Sequence, residues 1–221
     1  MTGEVSRKFE TERERPRFRN LLVFLFIVLA SSFAYAAGAQ STPVKETEVT
    51  VFQPAVPGGS SRSGECWTDS IAVSRAGAWR CMVGNEIYDP CFSNAGLTGA
   101  VICDANPARG SAGFILKLTK ALPGPSSKGL AYQRPWLVKL ADGATCEIET
   151  STIALVAGLE VPYGCSDSQE CGDKGCPYMT GLTDKFNRGK VWMADKVTFK
   201  SSNMGLQLIS RTRVAITAVW K

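Results

Sequence analysis

The order of two features along this chain constrains its fold most. An apolar run at residues 21–37 precedes all eight cysteines, the first of which is Cys66, and the chain contains no histidine. Because thiols that lie beyond a membrane-targeting segment reach an oxidising compartment, the sequence predicts that the cysteines form disulfides. Without histidine, the chain lacks the usual general base near neutral pH and the commonest metal ligand. The two features predict an exported, cross-linked domain and exclude many classes of reaction.

The N-terminal segment predicts targeting to a membrane. Residues 1–20 form a charged leader, and its four arginines nearest the apolar run favour a cytoplasmic N-terminus. Residues 21–39 are interpreted either as a signal peptide, cleaved after the small residues at 34–36 or 37–39, or as a single transmembrane helix. As a helix, the run at 21–37 would be about 26 Å long, near the lower limit for a hydrocarbon core of ~30 Å. Both outcomes place the remainder outside the cytoplasm, either secreted or anchored in the cell membrane by residues 21–37.

The remainder of the chain divides into a linker and a domain. Residues 40–65 are rich in proline, glycine and serine, which is typical of a linker. Within it, residues 46–52 alternate polar and apolar side chains and predict an edge strand. Residues 66–221 are numerous enough for one domain with its own core. Outside the leader, 19 basic and 16 acidic residues remain, a balance that argues against a nucleic-acid binder.

Alternation of apolar and polar residues with period two predicts strands. The dipeptide Asp142-Gly143 separates two alternating segments, 136–141 and 145–150, and predicts a hairpin with a two-residue turn in which Leu140 faces Thr145. The fold class predicted is mainly β, an antiparallel sandwich or barrel stabilised by disulfides and preceded by the N-terminal hydrophobic signal or anchor helix. Further strands are predicted at 66–73, 114–118, 153–161, 191–199 and 206–220, and short helical segments within 69–82 and 180–188.

The cysteines predict a disulfide framework whose pairing the sequence leaves open. Cys171 and Cys176 are the exception, because two glycines between them let a short loop close on itself. A zinc site would need a second closely spaced cysteine pair or histidine ligands, so neither a metal nor a cofactor is predicted. A catalytic thiolate is disfavoured as well, since no histidine is present to activate it. The disulfide residues predicted are Cys66, Cys81, Cys91, Cys103, Cys146, Cys165, Cys171 and Cys176.

Two carboxylates are candidates for catalysis. Glu86 and Asp89 lie three residues apart before Pro90, and a glycosidase needs two such groups across a sugar cleft. In the alternative interpretation, Asp89 accepts backbone N–H bonds in a turn and Glu86 pairs with Arg75 or Arg80. That alternative assigns both carboxylates to stability.

The alternation of neighbouring residues predicts which tryptophans are buried and which are exposed. Trp136 and Trp220 are in phase with apolar residues and are predicted to lie in the core. Trp192 is in phase with Lys190 and Lys196, which predicts an exposed ring and makes it the ligand-contact candidate.

One segment carries a resemblance. Residues 79–92, WRCMVGNEIYDPCF, together with Val101-Ile102-Cys103 and the WLVKLADG segment, resemble a group of uncharacterised exported bacterial proteins described as secreted proteins or lipoproteins. The resemblance covers most of residues 66–220. It implies an extracytoplasmic domain and supplies no activity.

The function predicted is a non-enzymatic binding or structural role at the cell envelope, in an exported or membrane-anchored protein. The partner expected is a cell-wall or surface glycan, or a protein, and not a nucleic acid. The alternative is a histidine-free hydrolase that acts on polysaccharide through acidic residues.

Overall fold

The computed structural model describes residues 45–124, 134–168 and 178–221, all within one compact unit that covers Val44–Lys221. This part of the chain contains strands, turns and loops but no helix, so the predicted mainly β fold is confirmed. The signal or anchor helix predicted at 21–39 lies outside it, and no helix within it is long and apolar enough to cross a membrane. The strands are β1 Glu48–Thr50, β2 Ser61–Asp69, β3 Ala78–Val83, β4 Glu86–Phe92, β5 Ala100–Asn106, β6 Ser111–Leu118, β7 Leu137–Leu140, β8 Thr145–Ile148, β9 Ala154–Val156, β10 Leu159–Val161, β11 Tyr163–Cys165, β12 Met179–Leu182, β13 Trp192–Ser202 and β14 Gly205–Trp220.

The first barrel is a closed meander of five strands, β2 to β6. Each strand is antiparallel to the one before it. With an odd number of strands, the first and the last run in the same direction, so the pair that closes the barrel, β2 with β6, is parallel. Val101, Leu116 and Phe114 are among the side chains that fill its interior.

The second barrel has six strands in the order β14, β13, β12, β11, β8 and β7, and it closes where β14 also pairs with β7. With an even number of strands, this closing pair is antiparallel. The hairpin of β9 and β10 interrupts the meander between β8 and β11. Strand β1 joins β14 in parallel, which confirms the edge strand predicted at 46–52.

The two barrels share a hydrophobic core. Ala78 and Phe92 of the first barrel belong to the same buried cluster as Trp136 and Leu182 of the second. Phe52, from the segment after β1, completes this contact: its ring centroid lies 5.6 Å from that of Phe92 and 6.0 Å from that of Trp136. The core position predicted for Trp136 is therefore confirmed.

Three disulfides join residues that face each other directly on neighbouring antiparallel strands. Their loops are short, with sequence separations of 15, 12 and 19 residues. Within the described residues no cysteine is free, whereas the predicted Cys171–Cys176 pair lies outside them. Three disulfides are consistent with an extracytoplasmic protein. The bonded pairs are Cys66–Cys81, Cys91–Cys103 and Cys146–Cys165.

The hairpin predicted at Asp142-Gly143 exists, but its predicted register is wrong by one residue. A two-residue turn of that type needs a positive φ at both central positions, and only Gly143, with a φ of 93°, has one. The loop therefore contains three residues, and the Leu140 amide bonds to the Ala144 carbonyl. As a result, Cys146 faces Val138 and lies on the same side of the sheet as Leu140.

The short helical segments predicted within 69–82 and 180–188 are also wrong. Residues 78–83 form β3 and residues 179–182 form β12, each hydrogen-bonded to strands on both sides. Strand pairing of residues distant in sequence satisfies these backbone groups, and a single-sequence pattern does not reveal such partners.

Candidate functional site

The predicted pair Glu86 and Asp89 is separated by the alternation of β4. Tyr88 faces the interior of the first barrel, where its ring centroid is 5.0 Å from that of Phe114. Glu86 lies on the same side at the exposed end of the strand, and its carboxylate bonds to the Tyr88 hydroxyl and, at 3.5 Å, to Arg62. Asp89 points to the opposite, outer side of the barrel. The two carboxylates share no partner within the described residues.

The Asp89 carboxylate is fully buried on the outer side of β4. It accepts hydrogen bonds from the Ser70 hydroxyl, from the Ile71 amide at 3.1 Å and from Arg80 at 3.1 Å. A backbone N–H bond to Asp89 is thus present, but the predicted turn is wrong, because Asp89 lies within β4 and the donor is the distant Ile71. The partner predicted for Glu86 is wrong, because Arg80 pairs with Asp89 and the arginine beside Glu86 is Arg62.

The exposure predicted for Trp192 is wrong, since only 8% of this residue is accessible. Its ring is covered by Phe186, by the Arg188 guanidinium 5.0 Å from the ring centroid and by the Lys221 ammonium at 5.5 Å. The prediction failed because it took Lys196, in phase with Trp192, as a solvated residue. Lys196 is instead buried in an ion pair with two aspartates.

Three cysteine sulfurs of the first barrel, those of Cys81, Cys91 and Cys103, lie within 4.8 Å of one another. All three belong to disulfides, which commits their thiolates to sulfur–sulfur bonds. The cluster is therefore two disulfides packed side by side in the barrel core.

A groove of about 520 Å³ lies between the two barrels, and four charged residues, Asp89, Arg109, Glu147 and Glu149, are among those that line it. The first barrel contributes Asp89 and Arg109, the latter from the turn between β5 and β6. The second barrel contributes the outer face of β8 and the strand beside it, β11. The lining residues are Asp89, Arg109, Thr145, Glu147, Ile148, Glu149, Thr150, Gly164, Cys165, Ser166 and Ser168.

Two sets of contacts between the barrels border the groove. On one side, Arg80 donates a hydrogen bond of 3.1 Å to the Thr150 carbonyl while it pairs with Asp89. On the other, Glu147 accepts bonds from Arg109 at 2.9 Å and from the Asn106 amide at 3.3 Å. Each charged side chain in these contacts is neutralised by a partner.

The carboxyl of Glu147 has a raised pKa. Burial raises the pKa of its carboxyl, the charges of Asp104 and Glu149 raise it further, and the Arg109 guanidinium opposes them. A carboxyl with a raised pKa keeps its proton to a higher pH than an ordinary glutamate and can act as a hydrogen-bond donor or an acid.

Glu149 is the groove carboxylate that lacks a cationic partner among the described residues. It follows β8 two residues after Glu147, so both side chains point to the same outer face. Its carboxylate lies across Gly164 on β11, at a position where a side chain on residue 164 would collide with it. In the described part of the chain Glu149 has no hydrogen-bond or ion-pair partner for its side chain, and it is exposed. Its carboxylate is therefore accessible from the solvent.

Trp67 is the exposed tryptophan next to this groove, with 42% of its surface accessible. It is the extra residue of a bulge in β2, which turns its ring outward. The Arg80 guanidinium lies 5.8 Å from the ring centroid and links the ring to the groove. No pattern in the sequence predicts an exposed ring at this position, because the bulge shifts the alternation that assigns inward and outward residues.

Comparisons with protein-family models, curated proteins and solved structures give no significant match for this chain. The resemblance to exported bacterial proteins accordingly stays a prediction.

Proposed function

We propose that this protein is a non-enzymatic binding domain that acts outside the cytoplasm, at the cell envelope, with the groove between the barrels as its binding site. The observation that carries the proposal is the exposed Glu149 carboxylate in a groove bordered by Arg80, whose guanidinium lies against the exposed Trp67 ring. Exposed aromatic rings beside polar clefts are a common way to hold ligands. The three disulfides support an extracytoplasmic location, either secreted or anchored by residues 21–37.

The proposal is tested with full-length protein and isolated envelope material, separated into polysaccharide and protein fractions. We expect the wild type to bind one fraction, and Trp67→Ala and Glu149→Lys to bind it at least about tenfold more weakly. Ile209→Ser changes an exposed residue of the β13–β14 hairpin and should bind like the wild type. Binding that none of the groove variants weakens would contradict the proposal.

A hydrolase is the second candidate, and the raised pKa of Glu147 favours it. Glycosidases combine a carboxylic acid of raised pKa with a second carboxylate roughly 5 to 10 Å away. Glu147 and Glu149 are two residues apart along an extended chain, so their Cα atoms are about 7 Å apart. The test is the release of reducing sugar ends from envelope polysaccharide. Release that Glu147→Gln abolishes and the exposed-residue control Glu160→Gln preserves would favour the hydrolase over the binding domain.

A further inference from the structure

We infer that the ligand of this groove is a segment of a partner polypeptide that carries aliphatic side chains next to a lysine or arginine. This inference rests on the proposed binding function and names the class of its partner. Three observations support the inference. An apolar patch lies on the outer face of the first barrel, the adjoining groove carries negative charge, and the patch and the groove are continuous.

The apolar patch consists of Trp67, Ile71 and Ile87. All three are large apolar residues exposed to solvent, at 42%, 50% and 54%. Ile87 alternates with the inward-facing Tyr88 and so shares the outer face of β4 with Asp89. Trp67 lies against Arg80, the Ile71 amide bonds to Asp89, and Ile87 precedes Asp89 by two residues in β4, so all three exposed residues adjoin one buried ion pair. Exposed apolar residues grouped in this way mark interaction sites more often than scattered single ones do.

The patch runs directly into the groove. The Ile71 amide bonds to the buried carboxylate of Asp89, and Asp89 is one of the residues that line the groove. Arg80 lies against the Trp67 ring on one side and bonds to the Thr150 carbonyl of the groove on the other. One ligand in an extended conformation can therefore contact both regions.

The negative charges of the groove favour a ligand with a cationic side chain. Arg80 neutralises Asp89 and Arg109 neutralises Glu147, which leaves Glu149 and the nearby Asp104 without a cationic partner among the described residues. Asp104 is exposed and close enough to raise the pKa of Glu147. A lysine or arginine side chain that enters beside Glu149 would restore neutrality, and charge complementarity of this kind fixes the orientation of a bound chain.

The aliphatic part of the patch favours a polypeptide over a glycan. Sugars bind by stacking on an aromatic face with polar groups around it, and here Arg80 lies over the Trp67 ring. Ile71 and Ile87 offer no hydrogen bonds to hydroxyl groups. They do offer apolar area, which aliphatic side chains of a peptide would bury.

The test is a selection of random displayed peptides on the full-length protein, followed by titration of the selected peptides. We expect peptides with aliphatic residues beside a lysine or arginine, whose affinity falls at least about tenfold in Trp67→Ala and in Glu149→Gln. Glu160→Gln and Ile209→Ala are matched controls on exposed residues elsewhere, and they should leave the affinity unchanged. Thermal unfolding of each variant establishes that it is folded.

The failures of the two proposals are distinguishable. If no such peptides are selected, or if their binding ignores Trp67 and Glu149, and envelope oligosaccharides bind at the groove instead, the polypeptide inference is overturned while the binding function stands. If neither peptides nor oligosaccharides bind at the groove, both are overturned.

Discussion

Arg109 of the first barrel donates a hydrogen bond to Glu147 of the second, with Nη2 and Oε2 2.9 Å apart. The contact joins the β5–β6 turn to β8 and borders the groove. Arg109 is mostly exposed, so the pair gains little from the Coulomb attraction itself. The Arg109–Glu147 contact matters because it holds Glu147 in a buried position, and burial raises the pKa of the Glu147 carboxyl.

The first prediction concerns the pH dependence of stability at Glu147. Its pKa in the folded protein lies above the ordinary 4.5, so the folded state holds this proton more tightly than the unfolded state. The resulting stabilisation is complete below about pH 4.5 and is lost as the pH rises through the folded pKa. We expect wild type to lose stability relative to Glu147→Gln over that interval, as measured by denaturant unfolding at a series of pH values. Glu160→Gln is the control, and a difference that did not change with pH would contradict the prediction.

The second prediction concerns Lys196, whose ammonium bonds to Asp142 at 2.7 Å and to Asp167 at 2.6 Å. Burial lowers the pKa of Lys196, but its two carboxylate partners outweigh burial and raise it. The same bonds hold the pKa of Asp167 below its ordinary value against the effect of burial. Lys196→Met should cost about 1 to 3 kcal/mol of unfolding free energy, because it leaves both carboxylates without their cation.

The control for this change is Lys139→Met, on an exposed lysine, which should alter stability by less than about 0.5 kcal/mol. The sign of the pH effect follows from Asp167: its stabilisation is present above pH 3.8 and is lost as the pH falls through its lower folded pKa. Acid unfolding should therefore differ least between wild type and Lys196→Met at the lowest pH. Equal stability at neutral pH would refute the role assigned to Lys196.

The third prediction uses the three-residue turn at 141–143. Gly143 has a φ of 93°, and the space around it is open, so a substitution meets backbone strain alone. We expect Gly143→Ala to lower the free energy of unfolding by about 1 kcal/mol. Gly59→Ala is the matched control, since Gly59 is equally open but lacks the positive φ. Equal effects of the two changes would show that the turn conformation was assigned wrongly.

The sequence predicted the class of this fold because its signals are local. Alternation along β7, β8 and β14 identifies strands wherever one side of a strand is buried, and the Asp-Gly step identifies their turn. The division into two barrels depends on the pairs β2 with β6 and β7 with β14. These close over 50 residues or more, and no local pattern encodes them.

The candidate site was less predictable for the same reason. Glu147 and Glu149 look like ordinary outward residues of a strand, and only the packing of the other barrel turns their surface into a groove. The exposure of Trp67 was not predicted, because a bulge in β2 shifts the side of the strand on which its ring lies. The exposure of Trp192 was predicted wrongly, because Lys196, the lysine in phase with it, is held in a buried ion pair. Bulges and long-range ion pairs are tertiary features.

The fourth prediction concerns the thiols. Labelling of unreduced, denatured protein should find no free thiol on the six described cysteines, and peptide mapping should recover the three cross-strand pairs. Replacing Cys91 and Cys103 together with alanine should cost about 3 kcal/mol, because the closed loop no longer restricts the unfolded chain. Recovery of any other pairing, such as one between Cys81 and Cys91, would contradict the strand register.

The last prediction separates Glu86 from Asp89. Asp89 is fully buried, and Asp89→Asn removes the charge that Arg80, itself mostly buried, requires. We expect a loss of about 3 kcal/mol in unfolding free energy, the scale for breaking a buried ion pair. Glu86 is exposed, and among the described residues it pairs with the exposed Arg62 and the Tyr88 hydroxyl, so Glu86→Gln should cost less than about 0.5 kcal/mol.

The measurement is denaturant unfolding of both single variants and the double variant, with the release of reducing sugar ends from envelope polysaccharide assayed in parallel. The two residues share no partner, so the single costs should add in the double variant. A catalytic pair behaves differently: either single change would abolish the reaction and leave stability nearly intact. Stable single variants that lose a glycan-cleaving activity of the parent would therefore restore Glu86 and Asp89 as a catalytic pair, in spite of their separation on β4.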